Sequence, residues 1–110
     1  MVSKDLVAAT STPLILSILS TGESYGYAII KRVRELSGNE LEWTDGMLYP
    51  VLHRLKDQGH VISIWRTAEN RRRRKYYRIT TSGRRELGRL REQWDTVNST
   101  LTRAWDQMED

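Results

Sequence analysis

The fold is decided between Thr44 and Arg78. Thr44-Asp-Gly-Met-Leu-Tyr-Pro-Val-Leu-His-Arg-Leu-Lys-Asp-Gln-Gly59 leads, after His60, into Val61-Ile-Ser-Ile-Trp65, and five residues later into Arg71-Arg-Arg-Arg-Lys-Tyr-Tyr-Arg78. Leu48, Val51, Leu52 and Leu55 recur at helical spacing. At 100° per residue, Gly46, Pro50, His53 and Asp57 fall on the opposite side, flanked by Tyr49 and Arg54. Thr44 is a plausible N-cap and Gly59 a stop. Pro50 conflicts with a regular helix, because it lacks a backbone N–H unless it sits in the first turn. Val61 to Trp65 has the β-branched and aromatic content of a strand. Residues 67–73 make a loop, and residues 74–80 return as a second strand. A short helix followed at once by a basic hairpin is the layout of a winged helix-turn-helix. In that layout the helix enters a groove of duplex DNA and the hairpin grips phosphates.

Charge is distributed in the same sense. The net charge of the 110 residues is +4. Residues 1–60 carry six basic and seven acidic side chains, residues 61–92 eleven and three, and residues 93–110 one and four. The positive charge therefore concentrates in the hairpin and the start of the next helix, which favours a polyanion. Five adjacent cations repel one another and contribute little to folding, so a solvated face explains Arg71 to Lys75 less well than a ligand does. No apolar run approaches the length of a membrane span, and no secretory leader is evident. A cytoplasmic location is the expectation. With no Cys and two His, neither a metal site nor a cofactor is expected. An enzyme is not expected either. There is no Cys nucleophile, no Gly-rich phosphate loop and no paired carboxylate, and Ser82-Gly83 has no His near it in sequence.

Upstream, Leu6, Leu14, Ile15, Ile18 and Leu19 are spaced for a helix over residues 3–20. Either Thr12 caps a helix with Pro13 at its first position, or one longer helix from Ser3 kinks at Pro13. Ser24 reads as the N-cap of a helix over 25–36 with Ile29, Val33 and Leu36 buried and Gly26 and Ile30 beside them. Ser37-Gly38-Asn39 stops it, and Leu41-Glu42-Trp43 is an extended link. Downstream, Thr81 or Ser82 starts a helix to about Met108. Its Leu87, Leu90, Trp94, Val97, Leu101, Ala104 and Met108 alternate at three and four residues, as in a coiled-coil seam. A three-helix core needs only part of such a helix, so the seam is expected to meet a second copy. The alternative is packing on the chain's own first helix. The expected fold is thus mainly α with a small β-hairpin, a winged helix-turn-helix with a long C-terminal dimerisation helix. Residues 1–80 would be the DNA-binding part and residues 81–110 the dimerisation helix, packed with helix 1 in one compact unit.

Gly26-Tyr27, Leu48-Tyr-Pro-Val-Leu-His-Arg-Leu55, Gly59 and Lys75-Tyr-Tyr-Arg-Ile-Thr80 followed by Gly83 together resemble the PadR-like family of bacterial transcriptional regulators over roughly residues 10 to 90. The single C-terminal helix bearing Trp94 is similar to the small branch that includes multidrug-sensing repressors. The chain departs from the usual pattern at Tyr25, where His often stands, and at Met47, where Thr often stands. The resemblance implies a homodimer through the last helix aided by the first, repression of a nearby promoter, and stacking of flat, apolar, often cationic compounds on Trp94.

Thr44, Gly46, Met47, Tyr49, Pro50, His53 and Arg54 on the helix, with Arg71, Arg72, Arg73, Arg74 and Lys75 on the wing, are the expected DNA contacts. Arg54 is the candidate for a base edge, because its planar fork matches guanine. Trp94 and Val97 are the expected ligand contacts. Leu6, Leu87, Leu90, Trp94, Val97, Leu101, Trp105 and Met108 are expected at the dimer interface. The expected function is a homodimeric, sequence-specific repressor on a pseudo-palindromic operator, relieved by a small planar apolar or cationic compound. The alternatives are a regulator without a ligand, and an RNA-binding or protein-docking winged helix.

Overall fold

A computed structural model describes residues 2–108 of the chain. Helices α1 (Lys4–Ser20), α2 (Gly26–Leu36), α3 (Asp45–Asp57) and α4 (Thr81–Asp106) surround a three-stranded sheet of β1 (Ser24–Tyr25), β2 (Val61–Thr67) and β3 (Arg73–Ile79). The sheet is antiparallel in the order β1-β3-β2, with Val61 opposite Ile79 and Thr67 opposite Arg73.

Helix α1 is the longer of the two alternatives. Ser3 caps it by accepting from the Leu6 N–H at 3.3 Å, and the helix continues through Pro13. Thr12 is therefore interior, not a cap. Beyond Pro13, Ile15, Leu16, Ile18 and Leu19 are buried. Residues 2–10 face outward for the most part.

The start of α2 differs from expectation. Ser24 does not cap it. Ser24 and Tyr25 are extended and pair with Tyr77 and Tyr76, so the helix begins at Gly26 with no side-chain cap. Ile29 and Val33 are buried as expected, but Leu36 is 53% exposed. Trp43, in what reads as a plain link, is a core residue instead. Its indole N–H is buried without an acceptor among the described residues.

Both α2 and α3 end in Schellman motifs. Asn39 N–H bonds the Arg34 carbonyl across Gly38, and His60 N–H bonds the Leu55 carbonyl across Gly59, each glycine with positive φ. Leu48, Leu52 and Leu55 are fully buried, and Val51 packs against them. Thr44 occupies the N-cap position of α3 without a side-chain hydrogen bond. Pro50 is the sixth residue of α3, well inside it. Its missing N–H leaves the Gly46 carbonyl without the i+4 donor, a loss tolerable because both residues are exposed to water.

The first hairpin strand starts at Val61 as expected and runs two residues longer, the second lies one residue earlier than expected, and the turn tightens to residues 68–72. Arg71 N–H bonds the Ala68 carbonyl, and Asn70 Oδ1 accepts from Arg72 N–H at 3.1 Å. Arg71 itself adopts φ 64°. Thr80 caps α4 by accepting from Gly83 N–H at 3.0 Å. Leu87 and Leu90 pack on the common core, so the root of α4 and the rest of the chain share one interior. Beyond the half-buried Trp94, α4 is exposed to its end.

Candidate nucleic-acid interface

Helix α3 presents Gly46, Pro50 and His53 to solvent on the side away from its buried leucines, with Tyr49 flanking them and Thr44 exposed at its N-cap. Tyr49 is 37% exposed, its ring resting on Gly26 at the start of α2. A side chain at Gly26 would overlap the Tyr49 hydroxyl, so this glycine is what lets α2 and α3 meet so closely. Tyr25, Tyr27, Tyr49, Trp65, Arg74 and Lys75 enclose an open hollow of about 450 Å³ between α2, α3 and the wing. Tyr27 and Trp65 are its most exposed members.

Met47 and Arg54 lie elsewhere. Together with Val51 they occupy the side of α3 that faces α1, and the Arg54 guanidinium donates to Thr12 Oγ1 at 3.1 Å. Arg54 therefore does not project with His53.

The basic run divides by function. Strand alternation places Arg73 over the Trp65 ring at 5.1 Å and Arg74 over Tyr25 at 4.4 Å on opposite faces of the sheet, with Lys75 Nζ 5.8 Å from the Tyr77 ring. These contacts offset part of the repulsion among five cations. Arg71 and Arg72 at the turn have no carboxylate or aromatic partner among the described residues. Lower on the wing, Glu23 neutralises Arg66 at 3.0 Å and Arg78 at 3.5 Å, anchoring the sheet to the turn after α1. Among the described residues, the wing cations with neither a ring nor a carboxylate beside them are thus the two at the tip.

Behind the wing, Tyr77 is fully buried with its hydroxyl unpartnered among the described residues. Burial, and then the neighbouring Tyr49 phenol, push its pKa above the ordinary tyrosine value.

At the opposite end of α3, sequence distance concealed a cluster. His60 Nδ1 lies 2.9 Å from Ser82 Oγ, and His60 Nε2 lies 3.9 Å from Glu86, which also holds Arg89. Ser82 thus has a histidine beside it in space, although 22 residues separate them. The surrounding bonds show what the cluster fastens. Thr80 donates through its hydroxyl to the Gly59 carbonyl at 2.7 Å and through its N–H to the His60 carbonyl at 3.0 Å. Gly83 sits so tightly against the His60 carbonyl that no side chain fits. These contacts tie the end of α3 to the first turn of α4.

Trp94 faces a cleft of about 400 Å³ between α1 and α4, lined also by Ala9, Pro13, Leu90 and Gln93, with Arg54, Arg89 and Glu86 at its polar end. Val97 is not part of that lining and is half exposed one turn further on. Of the expected interface residues, Leu87 and Leu90 are partly buried within the chain. Leu6, Val97, Leu101, Trp105 and Met108 are exposed. Among the described residues no helix is long and apolar enough to cross a membrane, and no group of His and carboxylates could hold a metal ion.

Residues 15–89 match the sequence model of the PadR-like family of transcriptional regulators, which covers α1 from its buried half through the wing to the root of α4. The chain belongs to that family. The PadR-like fold extends over nearly its whole length. A transcriptional regulator from Clostridium thermocellum is 30% identical and superposes with a TM-score of 0.85 over 94% of this chain and 97% of its own. A PadR family regulator from Eggerthella lenta is 31% identical, with a TM-score of 0.78 over 94% and 88%. A PadR-like transcription factor from Bacteroides fragilis is 28% identical, with a TM-score of 0.75 over 91% and 94%. The protein is accordingly a DNA-binding regulator of the winged helix-turn-helix type rather than an enzyme.

Proposed function

We propose that the protein is a homodimeric repressor that reads a pseudo-palindromic operator with α3 and clamps it with the wing. The observation that carries this reading is the pair Arg71 and Arg72, without a partner among the described residues at the wing tip while every other cation of the hairpin lies on a ring or a carboxylate. Free guanidinium groups on an extended loop match phosphates or the minor groove. Tyr49 and His53 supply donors beside the open side of α3, Thr44 supplies one at its N-terminal end, and Gly46 and Pro50 let backbone approach the duplex.

Arg54 enters as a base reader only by releasing Thr12. That single charge-assisted bond stands exposed to water and is worth at most about 1.5–3 kcal/mol, comparable with the ~1–3 kcal/mol of a good bidentate base contact, so the exchange is near balance. Met47, turned toward α1, acts from behind the helix.

Dimerisation is supported by the exposed seam of α4. The two-fold pair would place half-sites about 34–36 Å apart, or a multiple. The effector site is assigned to Trp94 and its neighbours. Arg54 and Arg89 outnumber Glu86 at that mainly polar cleft, so its lining speaks against a cation and leaves Trp94 and Leu90 as the surfaces for a flat ring. A ring wedged there would separate α4 from α1 and alter the spacing of the two reading helices.

A gel shift of the purified protein on random duplex DNA, followed by sequencing of the bound fraction, tests the first part. Recovery of an inverted repeat is expected. Equal binding to RNA or single strands would favour the RNA-binding alternative. Titration with planar dyes while watching Trp fluorescence tests the second part. Quenching should vanish in Trp94→Ala, and persistence there would remove the effector assignment.

A further inference from the structure

The hollow between α2, α3 and the wing holds more aromatic surface than duplex recognition uses. Tyr27 is 71% and Trp65 56% exposed there, with Tyr25 and Tyr49 beside them. Large rings left together in water mark an interaction site. The hollow also carries charge of one sign. Arg74 and Lys75 line it and no carboxylate does, while Glu23 is engaged by Arg66 and Arg78. Pairing across the hairpin sets Lys75 opposite Trp65, on the same face of the sheet as the buried Tyr77 and so toward the helices. Arg73 packs over the Trp65 ring at 5.1 Å and Arg74 over Tyr25 at 4.4 Å, which holds rings and charges in position before any ligand arrives. Helix α2 opens beside them at Gly26 without a side-chain cap, and the positive end of its dipole adds to the same field.

A duplex lying between α3 and the wing offers phosphates to these cations. Its bases stay stacked and paired, so it has no ring for Tyr27 and Trp65. A single planar ring that carries its own phosphate satisfies both halves of the hollow. The aromatic side chains stack the base, and Arg74, Lys75 and the start of α2 hold the phosphate. We infer that the hollow is a binding site for a free nucleoside phosphate, and that its occupant excludes the operator. The volume of about 450 Å³ lies within the range of small-molecule sites. The site shares no lining residue with the Trp94 cleft, so it is a second input and not another description of the first. Tyr49 joins it to the reading surface, because the same phenol flanks the open side of α3. The exclusion rests on the DNA-binding reading above, whereas the binding itself does not.

Guanosine monophosphate is the probe, titrated into the full chain at constant ionic strength and followed by Trp fluorescence and equilibrium dialysis. Binding should saturate, with guanosine and inorganic phosphate each at least about tenfold weaker, since either one fills only half of the hollow. Tyr27→Ala and Trp65→Ala should each weaken it roughly 5- to 150-fold, the range for one lost base–aromatic stack. Both side chains stand largely in water, so neither replacement removes core. Lys75→Gln should bring the nucleotide down toward guanosine. The paired tip replacements Arg71→Gln and Arg72→Gln, outside the hollow, should leave nucleotide binding unchanged while duplex binding falls. At ten times its own Kd the nucleotide should raise the apparent Kd for duplex about 11-fold. Absence of saturable binding overturns the site, as does binding that survives both aromatic replacements. Inorganic phosphate that displaces duplex as well as the nucleotide does overturns it too. A single-stranded oligonucleotide that binds where the nucleotide does not also overturns it, and assigns the rings to an unpaired base of a strand. Nucleotide held together with duplex at full affinity overturns the exclusion. A chain that takes the nucleotide but no duplex overturns the DNA-binding reading and leaves the site standing.

Discussion

Neutralising the wing tip with Arg71→Gln and Arg72→Gln removes two cations per protomer that pair with no carboxylate or ring among the described residues. Folding stability should therefore stay within about 0.5 kcal/mol of the parent. Binding should not. Each phosphate neutralised contributes about 0.9 to the slope of log affinity against log salt, so four lost contacts in a dimer flatten that slope by about 3.6. The same arithmetic makes the affinity loss itself depend on salt, from about 10⁴·⁷-fold at 50 mM to about 10²·⁵-fold at 200 mM, as upper limits for fully formed contacts. Fluorescence anisotropy of a labelled duplex across that salt range measures both quantities. The loss should be equal on specific and random sequences, because phosphates carry no code. Arg73→Gln and Arg74→Gln form the contrast. Those side chains stack on Trp65 and Tyr25, so their removal should also lower the melting temperature. An unchanged slope in the tip variant refutes the assignment of the wing to phosphate.

Three further outcomes follow from the glycines and Tyr77. Gly83→Ala should destabilise by about 1–3 kcal/mol or more, since the new carbon meets the fixed His60 carbonyl, whereas Gly88→Ala, with open space around it, should stabilise α4 by about 0.5–1 kcal/mol; chemical denaturation ranks the pair. Gly26→Ala should cost about 1–3 kcal/mol through its overlap with Tyr49, and Tyr49→Phe in the same chain should recover part of it; full additivity in a double-mutant cycle would show that the two do not touch. Tyr77 holds its proton more tightly when folded, so its contribution is complete below the unfolded pKa of about 10 and is lost as pH rises through the folded value. Tyr77→Phe should flatten the alkaline fall in stability and cost nothing at neutral pH, because the buried hydroxyl has no partner among the described residues; a loss of stability at pH 7 would reveal one.

Much of this was legible in the chain because local signals agreed with the tertiary answer. The leucine stripe of α3, the glycine stops at Gly38 and Gly59 and the hairpin around the basic run all act within a few residues. What escaped has a non-local cause. Ser24 has the chemistry of a cap, and only pairing with Tyr77, far along the sequence, pulls it into a strand. Trp43 carries no periodicity, yet the link around it folds inward. Arg54 reads as an outward guanidinium until α1 supplies Thr12. His60 and Ser82 gain meaning only where the wing closes on itself and brings the start of α4 back to the end of α3. The two-way ambiguity at Pro13 is settled by Ser3, whose side chain caps the whole helix ahead of it.

The root of α4 has a mechanical consequence. With Gly83 jammed against the His60 carbonyl, Thr80 bonded to Gly59, and Ser82 and Glu86 gripping His60, the helix has no swivel where it joins the reading head. Its 26 residues span about 39 Å, so it behaves as a crank. A tilt of roughly 5° at one end of such a rod sweeps the other through about 3 Å. Whatever touches the far end therefore steers α3, and a weak push there is geared into a displacement large enough to take a side chain off its base.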